Sequence, residues 1–286
     1  MPRFRQFAAL LCLAAAALPA AADGFARIDE ALPGQPRALQ LAIVTYAPAD
    51  ARDFSVDLIS AIHIGDREYY QLLNERFRAY DVLLFELVVA DPDSAGELND
   101  FDGSWLSRLQ VGLKDLLGLA FQLDEIDYGA PNFVHADLSS TMLARSMEER
   151  GESLYVYFWR LFFAGIEDYA RDPLGLREMS AMTSILAARD DDALKIAIAY
   201  EMVKATESGD LLGGEQGSAL IAARNEHAMR VLHEQLSRGA RRIGLFYGAA
   251  HMNDFEQRLA AELGLQRVAV EWADAWRFSA ADAPAR

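Results

Sequence analysis

Two histidines in this 286-residue chain end apolar runs, and each is followed three residues later by an aspartate. They are His63 and Asp66 in "SAIHIGDREYY", and His251 and Asp254 in "LFYGAAHMNDF". A glutamate in a further apolar run follows each histidine, Glu86 after 23 residues and Glu271 after 20. Imidazoles with a carboxylate are the donors expected for zinc, manganese, iron or cobalt, and a metal site with an open position activates water. Glu86 lies within "DVLLFELVV", where an unpaired carboxylate is costly. It either pairs with a cation or points out of the sheet, and pairing is the favoured reading. His135 in "NFVHADLSS" also ends a short apolar run and joins the candidate ligands, with its reach into a common cleft left open. Asp66 and Asp254 read as helix N-caps ahead of ligands, and Asp137 and Ser139 as caps. Glu271 reads as structural, and His227 and His233 as solvated or standing behind the site.

The elements that must position these groups follow from hydrophobic period. "ALQLAIVTY" (38–46) and "FSVDLISAIHI" (54–64) read as strands, after a loop holding Pro33, Gly34 and Pro36. Tyr70, Leu73, Phe77 and Tyr80 then recur at helical spacing over 66–80, and an apolar run over 81–89 predicts another strand. Strand, helix, strand is a βαβ unit, which implies parallel pairing and a right-handed crossover. A second unit reads as a strand over 243–247, a helix through Phe255, Leu259 and Leu263, and the strand "RVAVEW". A residue just past a strand's carboxyl end sits at the sheet edge where ligands collect. Two such units side by side place His63 and His251 on one edge, facing a common cleft. The small residues Ser60, Ala61, Gly248, Ala249 and Ala250 allow backbone or ligand to approach closely.

Between the units, from about residue 104 to 207, the pattern is mainly helical, broken by a short strand in "APNFVHADLSS" (130–140). "LYVYFWRLFF" (154–163) reads as a buried or groove-lining helix, since it holds Arg160 and is half the length of a membrane span. Gly209, Gly213, Gly214 and Gly217 mark a break before an amphipathic helix over 218–239 that stops at Gly239. The expected class is α/β: two βαβ units forming a central mixed or mostly parallel sheet, with a large helical insert.

Composition narrows the function. "MPRFRQFAALLCLAAAALPAAADG" has the basic start, apolar run and A-x-A site of a secretory signal, so 1–22 is expected to be removed. The mature chain is then a single domain, 23–286, in the periplasm or outside the cell, with no membrane span of its own. Cys12 is the one cysteine, so the mature chain has no disulfide and any metal site uses His, Asp and Glu. The formal charge of −16 argues against nucleic acid and anionic membrane surfaces as partners. A peptide or small molecule is the expected substrate. No serine stands in a G-x-S-x-G elbow, which leaves the metal route ahead of the nucleophilic ones.

The paired strand-end histidines, Glu86 in "LLFELV", the helical insert and "RNEH" ahead of the second unit together resemble the TraB/PrgY/GumN family. That family is related to the Tiki metalloproteases and more distantly to the erythromycin esterase and ChaN groups. The resemblance runs from Leu41 to Trp272. Of its two G-x-x-H motifs, Gly248-Ala249-Ala250-His251 is intact, whereas Ser60-Ala61-Ile62-His63 carries serine in place of glycine. The resemblance implies a divalent-metal-dependent, peptidase-like hydrolase. His63 and His251 would hold the metal, and Glu86 would complete the ligand set or act as general base. Arg224 and Asn225 match the family's Arg-Asn pair, Arg224 to stabilise developing negative charge and Asn225 to orient the substrate. Tyr155, Tyr157, Phe158 and Trp159 of the insert would cover the cleft. The alternative is a binding protein that holds haem or a peptide in the same cleft without turnover.

Overall fold

The computed structural model describes residues 24–49, 53–87, 119–149, 191–208 and 219–278. The expected signal segment, the aromatic run 154–163 and the glycine-rich break lie outside the described residues.

The chain enters through β1 (Ala26–Leu32), which forms a hairpin with β2 (Gln35–Pro48). Sequence periodicity misses β1 because it carries Arg27, Asp29 and Glu30 on a partly exposed strand. Its turn includes Gly34 at φ 77°, a left-handed conformation that a side chain resists. There follow β3 (Ser55–Ala61), the two-residue β4 (Ile64–Gly65), helix α1 (Arg67–Phe77) and β5 (Val82–Phe85). Within the expected insert lie β6 (Ala120–Phe121), the short α2 (Gln122–Glu125), β7 (Phe133–His135), α3 (Ser140–Glu149) and α4 (Asp191–Ser208). Helix α5 (Ala219–Ser237), β8 (Arg242–Gly248), a 3-10 turn over Ala249–His251, α6 (Met252–Leu263) and β9 (Leu265–Arg277) complete the described chain.

These elements form a mixed α/β fold around a seven-stranded sheet. Strands β3, β8, β5 and β7 lie side by side in that order and run parallel. Strand β2 is antiparallel to β3 and β9 is antiparallel to β2. Because β9 pairs with Ala38–Pro48 while β1 and β3 divide the same stretch, β9 takes one edge of β2, and β1 and β3 share the other. The sheet departs from two simple βαβ units in two ways. Strands β3 and β5 are parallel but not adjacent, since β8 inserts between them. In the second unit, β9 runs in the same sense as β8 but crosses β3 and β2 to reach a free edge. Local periodicity carries no information about which edge a strand finds.

Helices cover both faces. Tyr69, Tyr70, Leu73 and Phe77 of α1, together with Leu194 and Ala199 of α4, pack with Ile59, Leu83, Phe246 and Trp276. Ala228, Met229 and Leu232 of α5 and Phe255 and Leu259 of α6 pack on the other face against Leu58, Leu84 and Leu245. Each buried leucine, isoleucine, methionine or phenylalanine among them contributes about 1.5–3 kcal/mol. Gly244, in the middle of β8, provides the space these neighbours fill: a Cβ there would stand 2.5 Å from Leu83 Cδ1 and 3.0 Å from Ile59 Cδ1. Helix α6 stops at Gly264, which takes φ 66° and returns its N–H to the carbonyls of Leu259 and Ala260. Among the described residues, no helix is long and apolar enough to cross a membrane.

Candidate functional site

The four parallel strands bring their carboxyl ends to one edge. Ala61 pairs with Gly248, Phe85 with Phe246, and Phe85 with His135. His63 and His251 therefore leave the same edge of adjacent strands, as the repeated motif predicts, and Glu86 and His135 leave it from the next two strands. Glu86 is not inside its strand, as the apolar run suggests, but one residue past it, where a carboxylate no longer has to enter the core.

Each turn is pinned by its own hydrogen bonds. Tyr69 and Tyr70 hydroxyls of α1 donate to the carbonyls of Ser60 and Ile62 at 2.7 and 2.9 Å, and Gln122 N–H donates to the His63 carbonyl at 2.8 Å. The His63 residue itself is exposed. Glu86 accepts the Gly248 N–H on Oε2 at 2.6 Å and an Arg224 Nη2–H on Oε1 at 2.6 Å. Gly248 suits this approach, since a Cβ there would lie 3.3 Å from Glu86 Oε2. His135 is exposed, and its Nε2 lies 2.6 Å from the Leu87 carbonyl, an acceptor only, so that nitrogen carries the proton.

Arg224 reaches the edge from α5. Its Nε and Nη2 donate to Asp137 Oδ1 and Oδ2 at 2.8 and 2.6 Å, and the Asp137 side chain has no solvent exposure. Asp137 reads from sequence as a cap. It does accept the Leu138 N–H at 2.8 Å, but its main partner is this buried guanidinium. The legible signal was position: Asp137 follows His135 off β7 onto the same edge. Ser139 does cap α3, accepting the Met142 N–H at 3.3 Å.

His251 is 3% exposed and is held edge-on by the Tyr247 ring, with centroids 5.3 Å apart. Its Nδ1 is 2.6 Å from Asn225 Oδ1, and its Nε2 is 3.5 Å from Glu86 Oε1. Asn225 is fully buried and its Nδ2 donates to the His251 carbonyl and to Asp254 Oδ2, at 3.0 and 2.8 Å. These three bonds tie the amide to the His251 ring and backbone and to Asp254. Burial pushes the Glu86 carboxyl up, but His251, Arg224 and the Gly248 N–H outweigh it and hold the group well below the usual carboxylate range. Burial also pulls at Arg224, yet Asp137 and Glu86 leave its pKa raised.

Neither motif aspartate caps its helix. Asp66 stands at the N-cap position of α1 without a side-chain cap bond. Its carboxylate instead takes Lys195 Nζ at 3.3 Å and the Arg277 N–H at 2.6 Å, tying α4 and the end of β9 to the His63 turn. Asp254 lies inside the first turn of α6 and accepts from Asn225 and from Arg258 Nε at 2.6 Å. Glu271 pairs with Arg76, in keeping with a structural role. His233 contacts Glu262 at 3.1 Å, and His227 contacts Arg230 at 3.1 Å while standing within electrostatic reach of Asp137 and His135.

Among the described residues, no three His, Cys, Asp or Glu side chains are grouped as a ready metal cage. The donor chemistry of two of them does fit a shared cation. Ligands about 2.1 Å from a tetrahedral metal stand about 3.4 Å from each other, and His251 Nε2 and Glu86 Oε1 are 3.5 Å apart. A carboxylate has about four lone-pair sites, and Arg224 and Gly248 use two of them on Glu86. Glu86, Asp137 and Arg224 together carry one net negative charge, which favours a cation over an anion at this edge.

The class defined by fold and site is an α/β protein with a polar, largely buried cluster at the carboxyl edge of its parallel strands. No family model matches the chain, and neither a curated protein nor a solved structure matches it.

Proposed function

We propose that this chain is an exported, divalent-metal-dependent hydrolase of the TraB/GumN type, peptidase-like, acting at the carboxyl edge of its sheet. The observation that carries the reading is the pair of donors 3.5 Å apart, His251 Nε2 and Glu86 Oε1, on the edge that also bears His63. His63, His251 and Glu86 would hold the ion, with His135 at the rim. Manganese, cobalt, zinc or iron bound there would polarise a carbonyl and lower the pKa of a water.

The chain's own residues supply the rest. Asn225 keeps His251 oriented. Glu86, kept ionised by Arg224 and the Gly248 N–H, is competent either as a ligand or as an acceptor for a proton from water. Arg224 is anchored by Asp137, and its Nη1 has no partner among the described residues, so it can donate to an oxygen that gains charge. Helix α4 ties both histidine turns, through Lys195 to Asp66 and through Asn253 Nδ2, which donates to the Thr206 carbonyl at 3.3 Å. These two contacts support a role for the insert in setting specificity.

The test is the metal content of residues 23–286, purified without chelator or histidine tag, beside the His63→Ala/His251→Ala double variant. Near-stoichiometric metal in the parent and loss from the folded variant are expected, with peptide hydrolysis by the loaded parent alone. No metal in the parent after incubation with manganese, cobalt, zinc and iron would overturn the reading.

A further inference from the structure

We infer that Asp254 is a positioning residue that fixes which ring nitrogen of His251 faces Glu86. Asn225 connects the two residues. One end of its amide meets the His251 carbonyl at 3.0 Å and Asp254 Oδ2 at 2.8 Å, and both of these groups only accept. That end is therefore the NH2. The other end is the oxygen, and it lies 2.6 Å from His251 Nδ1, so Nδ1 carries a proton. Nε2 is the nitrogen turned towards Glu86 Oε1, and whenever the ring is neutral it is the one that presents a lone pair. A reversed amide would point an oxygen at a carbonyl and a carboxylate, setting acceptor against acceptor in a buried position.

Asp254 is itself held. Arg258 Nε donates to the same Oδ2 at 2.6 Å, and Arg258 Nη2 reaches the Ala222 carbonyl of α5 at 3.5 Å. The result is a relay from Arg258 through Asp254 and Asn225 to His251, spanning α6 and α5. The competing explanation for an aspartate here is the positive end of the α6 dipole, which rewards any acid in the first turn. That explanation needs no bond across to α5, and the carboxylate makes one. The two aspartates of the repeated histidine motif have thus taken different tasks: Asp66 fastens α4 and β9, and Asp254 sets a tautomer.

The tautomer assignment stands on the hydrogen bonds alone, while its consequence for metal binding rests on the function proposed above. The direct readout is the pair of His251 ring 15N shifts, from long-range 1H–15N correlation on the metal-free protein in alkaline buffer. The parent should show a protonated Nδ1 and a bare Nε2. Asp254→Ala, at a half-exposed helix position where alanine is well tolerated, should give both tautomers in exchange. Asp254→Asn keeps an acceptor and loses the charge, and should restore the parent pattern. Manganese affinity should fall about tenfold in Asp254→Ala and recover in Asp254→Asn. A single Nδ1–H form retained in Asp254→Ala, or lost in Asp254→Asn, would overturn the inference. A parent that shows the tautomer but binds no manganese would sink the metal reading and leave this one standing.

Discussion

Arg224 grips Asp137 through two parallel hydrogen bonds, Nε to Oδ1 at 2.8 Å and Nη2 to Oδ2 at 2.6 Å, with the Asp137 side chain entirely shielded from water. The same Nη2 reaches Glu86 Oε1, so one guanidinium holds two carboxylates from the ends of β7 and β5. Removing Asp137 leaves a buried positive charge with half its partners. Asp137→Ala should cost about 3–5 kcal/mol, read from urea unfolding. Arg224→Lys should not rescue the arrangement, because an ammonium cannot offer the planar fork. A loss below about 1 kcal/mol would place this pair in the class of exposed ion pairs.

Acid should weaken the fold through Glu86. Its folded pKa lies below the ordinary value of 4.5. The unfolded chain therefore binds the proton more readily, and stability rises with pH over the interval between the two values. The stabilisation is complete above the ordinary carboxylate value and drains away as pH falls below it towards the folded one. Urea midpoints measured between about pH 5 and pH 3 should fall more steeply for the parent than for Glu86→Gln. Equal slopes would show that Glu86 does not titrate differently in the folded state.

The serine that departs from the first G-x-x-H motif carries an unpaired group. Ser60 is 1% exposed, and its Oγ has no hydrogen-bond partner among the described residues. Ser60→Ala removes a buried hydroxyl without a bond and should stabilise by about 1 kcal/mol, seen as a higher melting temperature. Ser60→Gly, which restores the motif, should lie below Ser60→Ala by about 0.5–1 kcal/mol for its backbone entropy. A lower melting temperature in Ser60→Ala would mean that the hydroxyl is bonded in solution.

The glycine of the second motif is under a different demand. A Cβ on Gly248 would stand 3.3 Å from Glu86 Oε2, the oxygen that accepts the Gly248 N–H. Gly248→Ala should push the carboxylate off that N–H by a few tenths of an ångström, cost about 1 kcal/mol, and weaken metal binding more than stability. Unchanged manganese affinity in this variant would detach Gly248 from the site. By contrast, Gly244→Ala, whose Cβ would meet Leu83 Cδ1 at 2.5 Å, should cost about 1–3 kcal/mol of stability through the core.

Much of the site is legible in one dimension because its determinants are local. An apolar run stops, a histidine follows, and an amphipathic helix begins; a strand end and its helix are fixed within about a dozen residues. That is enough to place His63, His251 and His135 on strand ends and to single out Glu86 as a carboxylate in need of a positive partner. What local pattern cannot carry is pairing between distant segments. The insertion of β8 between β3 and β5, the capture of β9 by β2, and the meeting of Asp137 with Arg224 across 87 residues are decided by packing of whole faces. The aspartates show the division most sharply. Spacing alone makes Asp66 and Asp254 alike, three residues past a histidine at a helix start. Only the tertiary structure gives one a lysine from α4 and the other an asparagine from α5, because a buried or half-buried carboxylate bonds to whichever donor the packed neighbours bring within about 3 Å.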